Sequence, residues 1–324
     1  MLPRVTVVIA AYNAERFFQE TLDSVLAQSL ENIAVIVVDD GSTDRTPDIL
    51  AACSDRRLTV LRQDNSGVSA ARNAGLAAAS APYVFFLDAD DVLLPDALSR
   101  MVGVLDGNPE RVACFAHHIR IAADGTELSE RSDLPWKIFP ADDTLHHLIA
   151  KNFIVCGAIC IRTEIARAVR GFNPALNWGE DWEFWCRLAA QGDFAAMPND
   201  VVLLYRQHFG SANSRLRNSA LRPNFKAIDV VYSNPAIARR FPAAELKRRR
   251  RLARIDGFWT GARNACVHGR RLEFWLCLIV GACRYPDSVL RPRLVYLFFR
   301  ALRQQWRPAA SRAAPADAIP SGPR

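Results

Sequence analysis

Across the first hundred residues, short apolar runs rich in β-branched residues alternate with segments whose apolar positions recur at helical spacing. Val5–Ala10, Ile33–Val38, Leu58–Leu61 and Tyr83–Leu87 read as strands. Between them, Glu15–Ser29 carries Phe18, Leu22, Val25 and Leu26 on one helical face. Pro47 suits a first helical turn behind Thr46 as N-cap, Ser69–Ala79 is an Ala-rich helix, and Pro95 opens another. Strands that are apolar throughout are buried on both faces. The pattern therefore predicts an α/β fold built on a buried, Rossmann-like parallel sheet flanked by helices.

In such a sheet, ligands bind beyond the carboxyl ends of the strands. That rule singles out the polar segments after Ala10, after Val38 and after Leu87. No GxGxxG follows the first strand and no GxxxxGKS/T occurs, which excludes the dinucleotide fingerprint and the P-loop. Further on, Asp124-Gly125 reads as a hairpin turn, Glu180–Ala190 as a helix with Gly192 beyond its end, and Val201–Leu204 as a strand.

From about Leu216 the chain turns basic and helical. Residues 1–200 hold 17 basic and 28 acidic residues, net −11, whereas residues 201–324 hold 24 and 6, net +18. Lys247 to Arg251 are consecutive basic residues, and the short apolar stretches Phe274–Cys283 and Leu294–Leu302 are flanked by arginines. This division predicts a first domain over 1–215, a basic helical extension over 216–307 and a disordered Ala-, Pro- and Ser-rich tail over 308–324. Arginines beside short aromatic stretches suit an anionic membrane surface. No recognised nucleic-acid motif accompanies the charge, so no nucleic-acid partner is expected. The eight cysteines form no CxxC pair and sit mostly in apolar runs, as reduced core thiols do. No run of 18 apolar residues and no secretory signal is visible, and the expected location is cytoplasmic, peripheral at the membrane's cytoplasmic face.

Several segments can carry chemistry. Asp88-Ala89-Asp90 at a strand end offers two carboxylates to one hard cation such as Mg²⁺ or Mn²⁺; its bland alternative is an acidic helix start. Asp39-Asp40-Gly41-Ser42-Thr43-Asp44 can accept hydrogen bonds from a nucleobase or ribose, or is an ordinary turn. Ala10 and Tyr12 leave room for a base and a ring to stack on it. Arg72, in Gly67–Gly75, can pair with a phosphate or carboxylate, or belong to a closely packed helix. Trp178-Gly179-Glu180-Asp181-Trp182-Glu183 combines a potential general base with possible sugar platforms. His208, in Tyr205-Arg206-Gln207-His208, is a possible metal or diphosphate ligand, although a solitary histidine is more often structural.

In order and spacing, "VTVVIAAYNAE", "VVDDGSTD", "GVSAARNAGL", "FLDADD" and "GEDWE" together resemble glycosyltransferase family 2. The resemblance spans about residues 3–210 and implies the GT-A fold, a nucleotide-sugar donor and transfer with inversion. It implies donor binding by Ala10, Tyr12, Asp39, Asp40, Arg72, Asp88, Ala89 and Asp90. By the same likeness, Asp90, Asp88 and His208 hold Mn²⁺ or Mg²⁺, Asp181 is the general base, and Trp178, Glu180 and Trp182 face the acceptor, with Glu183 nearby. Ala10 stands where members often have Thr or Pro, and no QxxRW segment follows residue 210, which favours single-sugar transfer over polymerisation. The expected acceptor is a cell-surface glycan or lipid-linked hydroxyl, with a UDP-sugar as donor. Mobile covers over the site are expected around 125–143 and 206–220. A nucleotidyltransferase would carry a Gly-rich basic loop after the first strand, and a silent binding module would have no need of Asp88, Asp90 and Asp181.

Overall fold

The computed structural model describes residues 2–128, 143–208, 225–267 and 270–286. The expected tail over 308–324, and most of the expected covers over 125–143 and 206–220, lie outside the described residues. The chain divides into two compact units, Met1–Gln207 with Asp229–Ala243, and His208–Ile228 with Ala244–Arg324.

The first unit is built on one eight-stranded sheet: β1 Val5–Ala11, β2 Ile33–Asp39, β3 Leu58–Arg62, β4 Tyr83–Asp88, β5 Val92–Leu93, β6 Ala113–Ile121, β7 Ile159–Arg162 and β8 Phe194–Arg206. Their order is β3-β2-β1-β4-β7-β6-β8-β5. β3, β2, β1 and β4 run parallel, as expected from their apolar runs. β7 then enters antiparallel to both β4 and β6, so the sheet is mixed. β6 pairs with β8 in parallel, with two register shifts between Phe115 and His118. The chain passes from β1 to β2 on one side and returns as β4 on the other. That switch leaves a crevice past the strand ends. Register closes it tightly: Ala11 pairs with Asp39, and Ala10 pairs with Asp88.

Helices α1 Phe18–Leu26, α2 Thr46–Ala52, α3 Val68–Ala78, α4 Ala97–Gly107, α5 Thr144–Leu148, α6 Thr163–Ala168 and α7 Glu180–Ala189 cover this sheet. The helix opened by Pro95 starts at Ala97, so Asp88 to Asp91 belong to a turn and not to its first turn. Thr46 is the first helical residue of α2 rather than its N-cap; its Oγ1 instead accepts from Ala14 N at 2.9 Å. Asp124-Gly125 does make the turn, with Gly125 at φ +87° and Ala122 N donating to Thr126 O at 2.8 Å. α3 lies close on β1 because of Gly75: a Cβ there would sit 2.2 Å from Val8 Cγ1. α8 Phe225–Ser233 spans the division between the units, and α9 Pro235–Ala238 belongs to the first.

The second unit contains α10 Ala243–Val267, from Ala244 on, and α11 Arg271–Arg284. Its core gathers Ile255, Phe258, Ala262, Phe274, Cys277 and Tyr285. Among the described residues, no helix is long and apolar enough to cross a membrane.

Candidate active site

The loops past β1 and β2 are laced into one edge by side chains that reach across to backbone. Asn13 Oδ1 accepts from Thr43 N at 2.8 Å, and Ser42 Oγ accepts from Asn13 N at 3.0 Å. Asp44 accepts from Glu15 N at 3.0 Å, while Glu15 accepts from Arg45 N at 3.0 Å. The short polar residues of both motifs are thus what holds the loops together. Tyr12 stands out of this edge at 46% exposure, a ring free of the core. Ala10 beside it is partly buried in β1.

Asp39 and Asp40 are both buried. Asp40 uses both oxygens to hold the next loop: Gln63 Nε2, Ser66 N and Gly67 N donate to it at 2.7, 2.9 and 2.8 Å. Gly67 is then the left-handed residue (φ +87°) from which α3 starts. Asp39 accepts from Ser42 N at 2.9 Å and lies 3.6 Å from Arg62 Nε. It therefore keeps more accepting capacity than Asp40.

One turn into α3, Arg72 is buried and doubly paired. Its Nη2 is 2.6 Å from Asp88 Oδ1, its Nη1 is 3.1 Å from Glu180 Oε1, and it stacks on Phe172 at 5.0 Å. Phe172 is placed by Asn73, whose amide accepts from Phe172 N and donates to Phe172 O, both at 2.8 Å. The guanidinium therefore spans from the end of β4 to the start of α7. Paired with both carboxylates, it works as a strut between β4 and α7.

Past β4, the turn carries Asp88, Ala89, Asp90 and Asp91. Asp88 and Asp90 are partly exposed, and Ala89 packs on the core. Asp91 is fully buried; its Oδ1 accepts from Arg206 N at 2.8 Å, and its Oδ2 has no hydrogen-bond partner. Burial first, then the charges of Asp90 and Asp88, push the Asp91 carboxyl well above the usual range. Among the described residues, no three His, Cys, Asp or Glu side chains already form a cluster that could hold a metal. The chemistry of the turn nevertheless fits a hard divalent cation: two accessible carboxylates, and an inner one with an unsatisfied oxygen. His208 belongs to the second unit.

α7 begins after Gly179, which sits at φ +73°. Asp181, in the first helical turn, is partly accessible. Asn152 Nδ2 donates to its Oδ2 at 3.0 Å, and Trp182 N donates to its Oδ1 at 2.6 Å. Burial and then the neighbouring Glu180 charge raise its pKa to about 7, against the Trp182 amide, the Arg72 charge and Asn152, which lower it. A carboxylate so tuned is suited to taking a proton near neutrality. Glu183 is otherwise engaged, 2.7 Å from Arg187 Nε.

The two tryptophans part ways. Trp178 is 38% exposed, whereas Trp182 is buried with its Nε1 donating to Leu148 O at 2.6 Å. Trp182 thus offers no face to an acceptor; the expectation that it does is corrected by its packing. Sequence reasoning missed Asn152, Gln63 and Arg206 as supports of the site. For Asn152 and Gln63 no local pattern marks the role. For Arg206 a signal existed, a cation closing an apolar strand.

This sheet, with acidic turns gathered past the ends of β1, β2 and β4, defines a GT-A-type glycosyltransferase fold. Solved structures of the same fold include Staphylococcus aureus TarS 1–349 in complex with UDP-GlcNAc, at TM-score 0.64 and 18% identity over 93% of this chain and 88% of that one. Another is the mannosyltransferase PcManGT from Pyrobaculum calidifontis in complex with GDP-Man and Mn²⁺, at TM-score 0.56 and 20% identity over 94% and 88%. The chain belongs to glycosyl transferase family 2, whose model matches residues 6–168. It is 30% identical over 265 residues to the succinoglycan biosynthesis protein ExoO of Rhizobium meliloti, covering 79% of this chain and 74% of that protein. It is 38% identical over 214 residues to the uncharacterized glycosyltransferase EpsJ of Bacillus subtilis, covering 64% and 62%. The chain is thus a glycosyltransferase. Asp181 lies beyond the family match, and the donor-side residues through Asp90 lie within it.

Proposed function

We propose that the chain is an inverting, metal-dependent enzyme that moves one sugar from a nucleotide-diphosphate sugar to a hydroxyl of a cell-surface glycan or lipid-linked acceptor. The observation that carries this reading is Asp181: a partly accessible carboxylate with its pKa raised to about 7, one residue from Glu180, which Arg72 ties to Asp88. Asp181 takes the proton of the acceptor hydroxyl as that oxygen bonds to the anomeric carbon. The bond from that carbon to the diphosphate breaks in the same displacement, and the nucleoside diphosphate leaves. No protein nucleophile takes part, so configuration inverts. Trp178, exposed beside α7, supplies the acceptor's sugar platform.

On the donor side, Tyr12, Ala10 and Asp39 hold the base, and Asp40 shapes the loop behind it. Asp90, with Asp88, would hold Mn²⁺ or Mg²⁺, which supplies charge neutralisation for the leaving diphosphate. UDP-sugar is favoured, and the UDP-GlcNAc complex of TarS supports it, while the GDP-Man complex of PcManGT makes GDP the competitor. The role of ExoO in succinoglycan biosynthesis supports a glycan acceptor. The basic segment 216–307 attaches the enzyme to an anionic membrane surface from the cytoplasmic side.

A thermal-shift comparison of UDP and GDP, each with and without Mn²⁺, tests the donor site, because a ligand of the native state raises the Tm. A metal-dependent shift with UDP that disappears in Asp90→Ala is expected. Equal shifts in wild type and variant would remove Asp90 from the site. The anomer of the transferred sugar, read by NMR, tests inversion.

A further inference from the structure

We propose that Arg206 is the positioning residue of the Asp88–Asp91 turn, fixing by its side chain and backbone the carboxylates that the proposed function assigns to the donor and metal. Arg206 ends β8 and is 3% exposed. Its Nε donates to Asp90 O at 2.9 Å, and its backbone N donates to Asp91 Oδ1 at 2.8 Å. The rest of the guanidinium is held from two other directions. Nη1 donates to Ala123 O at 3.3 Å, in the turn after β6, and Nη2 donates to Glu20 Oε2 at 2.6 Å, on α1. The plane lies over the Phe17 ring at 4.8 Å.

The turn's own backbone bond is weak by comparison: Asp91 N reaches Asp88 O over 3.3 Å. Arg206 therefore supplies a brace from strand β8, more than a hundred residues away in sequence, to a turn that must present its acids in a fixed direction. A planar fork of donors is needed to serve Asp90 O, Ala123 O and Glu20 together; a lysine ammonium serves such divergent acceptors poorly. Sequence distance also explains why the motif alone does not reveal it.

The test is amide hydrogen exchange on the full chain, comparing peptides over 88–93 with peptides over β1, in Arg206→Lys, Arg206→Met and Glu20→Gln. Exchange over 88–93 is expected to rise about tenfold or more in both Arg206 variants, as loss of a charge-assisted hydrogen bond produces. It is expected to stay within about threefold in Glu20→Gln, which neutralises only the exposed outer partner and keeps an acceptor there. β1 should be unchanged throughout. No rise over 88–93, or an equal rise in β1, would overturn the proposal. If Arg206→Met does not fold, Arg206→Lys decides. Binding of Mn²⁺ alone, followed by its electron paramagnetic resonance signal, should weaken about tenfold in Arg206→Lys and vanish in Asp90→Ala. Unchanged Mn²⁺ affinity despite a loosened turn would also overturn the positioning role. Wild-type protein that takes up no Mn²⁺ would retire the metal reading and leave exchange alone to judge Arg206.

Discussion

The proposed role of Asp181 ties the expected rate to one titration. As the proposed base it must be ionised, so kcat/KM should rise with pH through about 7 and level off above it. Its neighbours push that limb in opposite directions. Glu180→Gln removes a charge that raises the pKa and should move the limb to lower pH; Asn152→Ala removes a hydrogen bond to the ionised form and should move it higher. A pH–rate profile of the three proteins checks both signs, and shifts of the same direction in both variants would refute the assignment. Asp181→Asn should lose about 10²–10⁴ in kcat while still binding nucleotide, as measured by thermal shift. Of these residues, Asp181 and Glu180 stood out in the sequence as a dense acidic group. Asn152 did not, because an amide that turns one carboxylate has no spacing rule of its own.

The helix that carries Arg72 depends on a glycine. Gly75→Ala would drive a Cβ to 2.2 Å from Val8 Cγ1, so α3 must lift from β1. Overpacking of this kind costs about 1–3 kcal/mol, measurable as a lower urea midpoint with unchanged slope. A variant as stable as wild type would show that α3 shifts freely. Strands β1, β2 and β4 were legible because each is a long, mostly apolar run that leads into polar turn residues; β3, the shorter LTVLR, lies at the sheet edge and is partly exposed rather than buried on both faces. β6 was not, because ACFAHHIRI mixes two histidines and an arginine into the run and its pairing with β8 is irregular. β7 has four residues, too few to show a period, and the first half of β8 contains Pro198, Asn199 and Asp200. α5 is a five-residue helix with two histidines, and only the side-chain cap from Asp143 marks its start. The acidic and polar turns past β1, β2 and β4 were therefore readable from sequence, whereas the braces that hold them come from elements with weak local signatures.

Taken as a whole, the chain separates its charge, with the acidic excess in residues 1–200 and a net +18 over 201–324. On α11 the face holding Leu272, Leu276, Ile279 and Val280 is exposed, while Phe274, Cys277 and Gly281 on the other side are buried. An apolar stripe within a basic segment fits the proposed attachment to anionic lipid. Cosedimentation with phosphatidylglycerol vesicles should be strong at low salt, weaken as salt screens the charge, and fall in the double variant Leu272→Glu, Ile279→Glu. Binding that ignores both salt and these substitutions would exclude that surface. Arg72 carries a different implication, for recombination between relatives. Because one buried guanidinium joins Asp88 to Glu180, the two halves of this enzyme are not interchangeable modules. A chimera whose grafted second half lacks an acid at position 180 would inherit a buried arginine short of one of its two anions. Viable crossovers in this lineage must carry both acids together or lose the arginine with them.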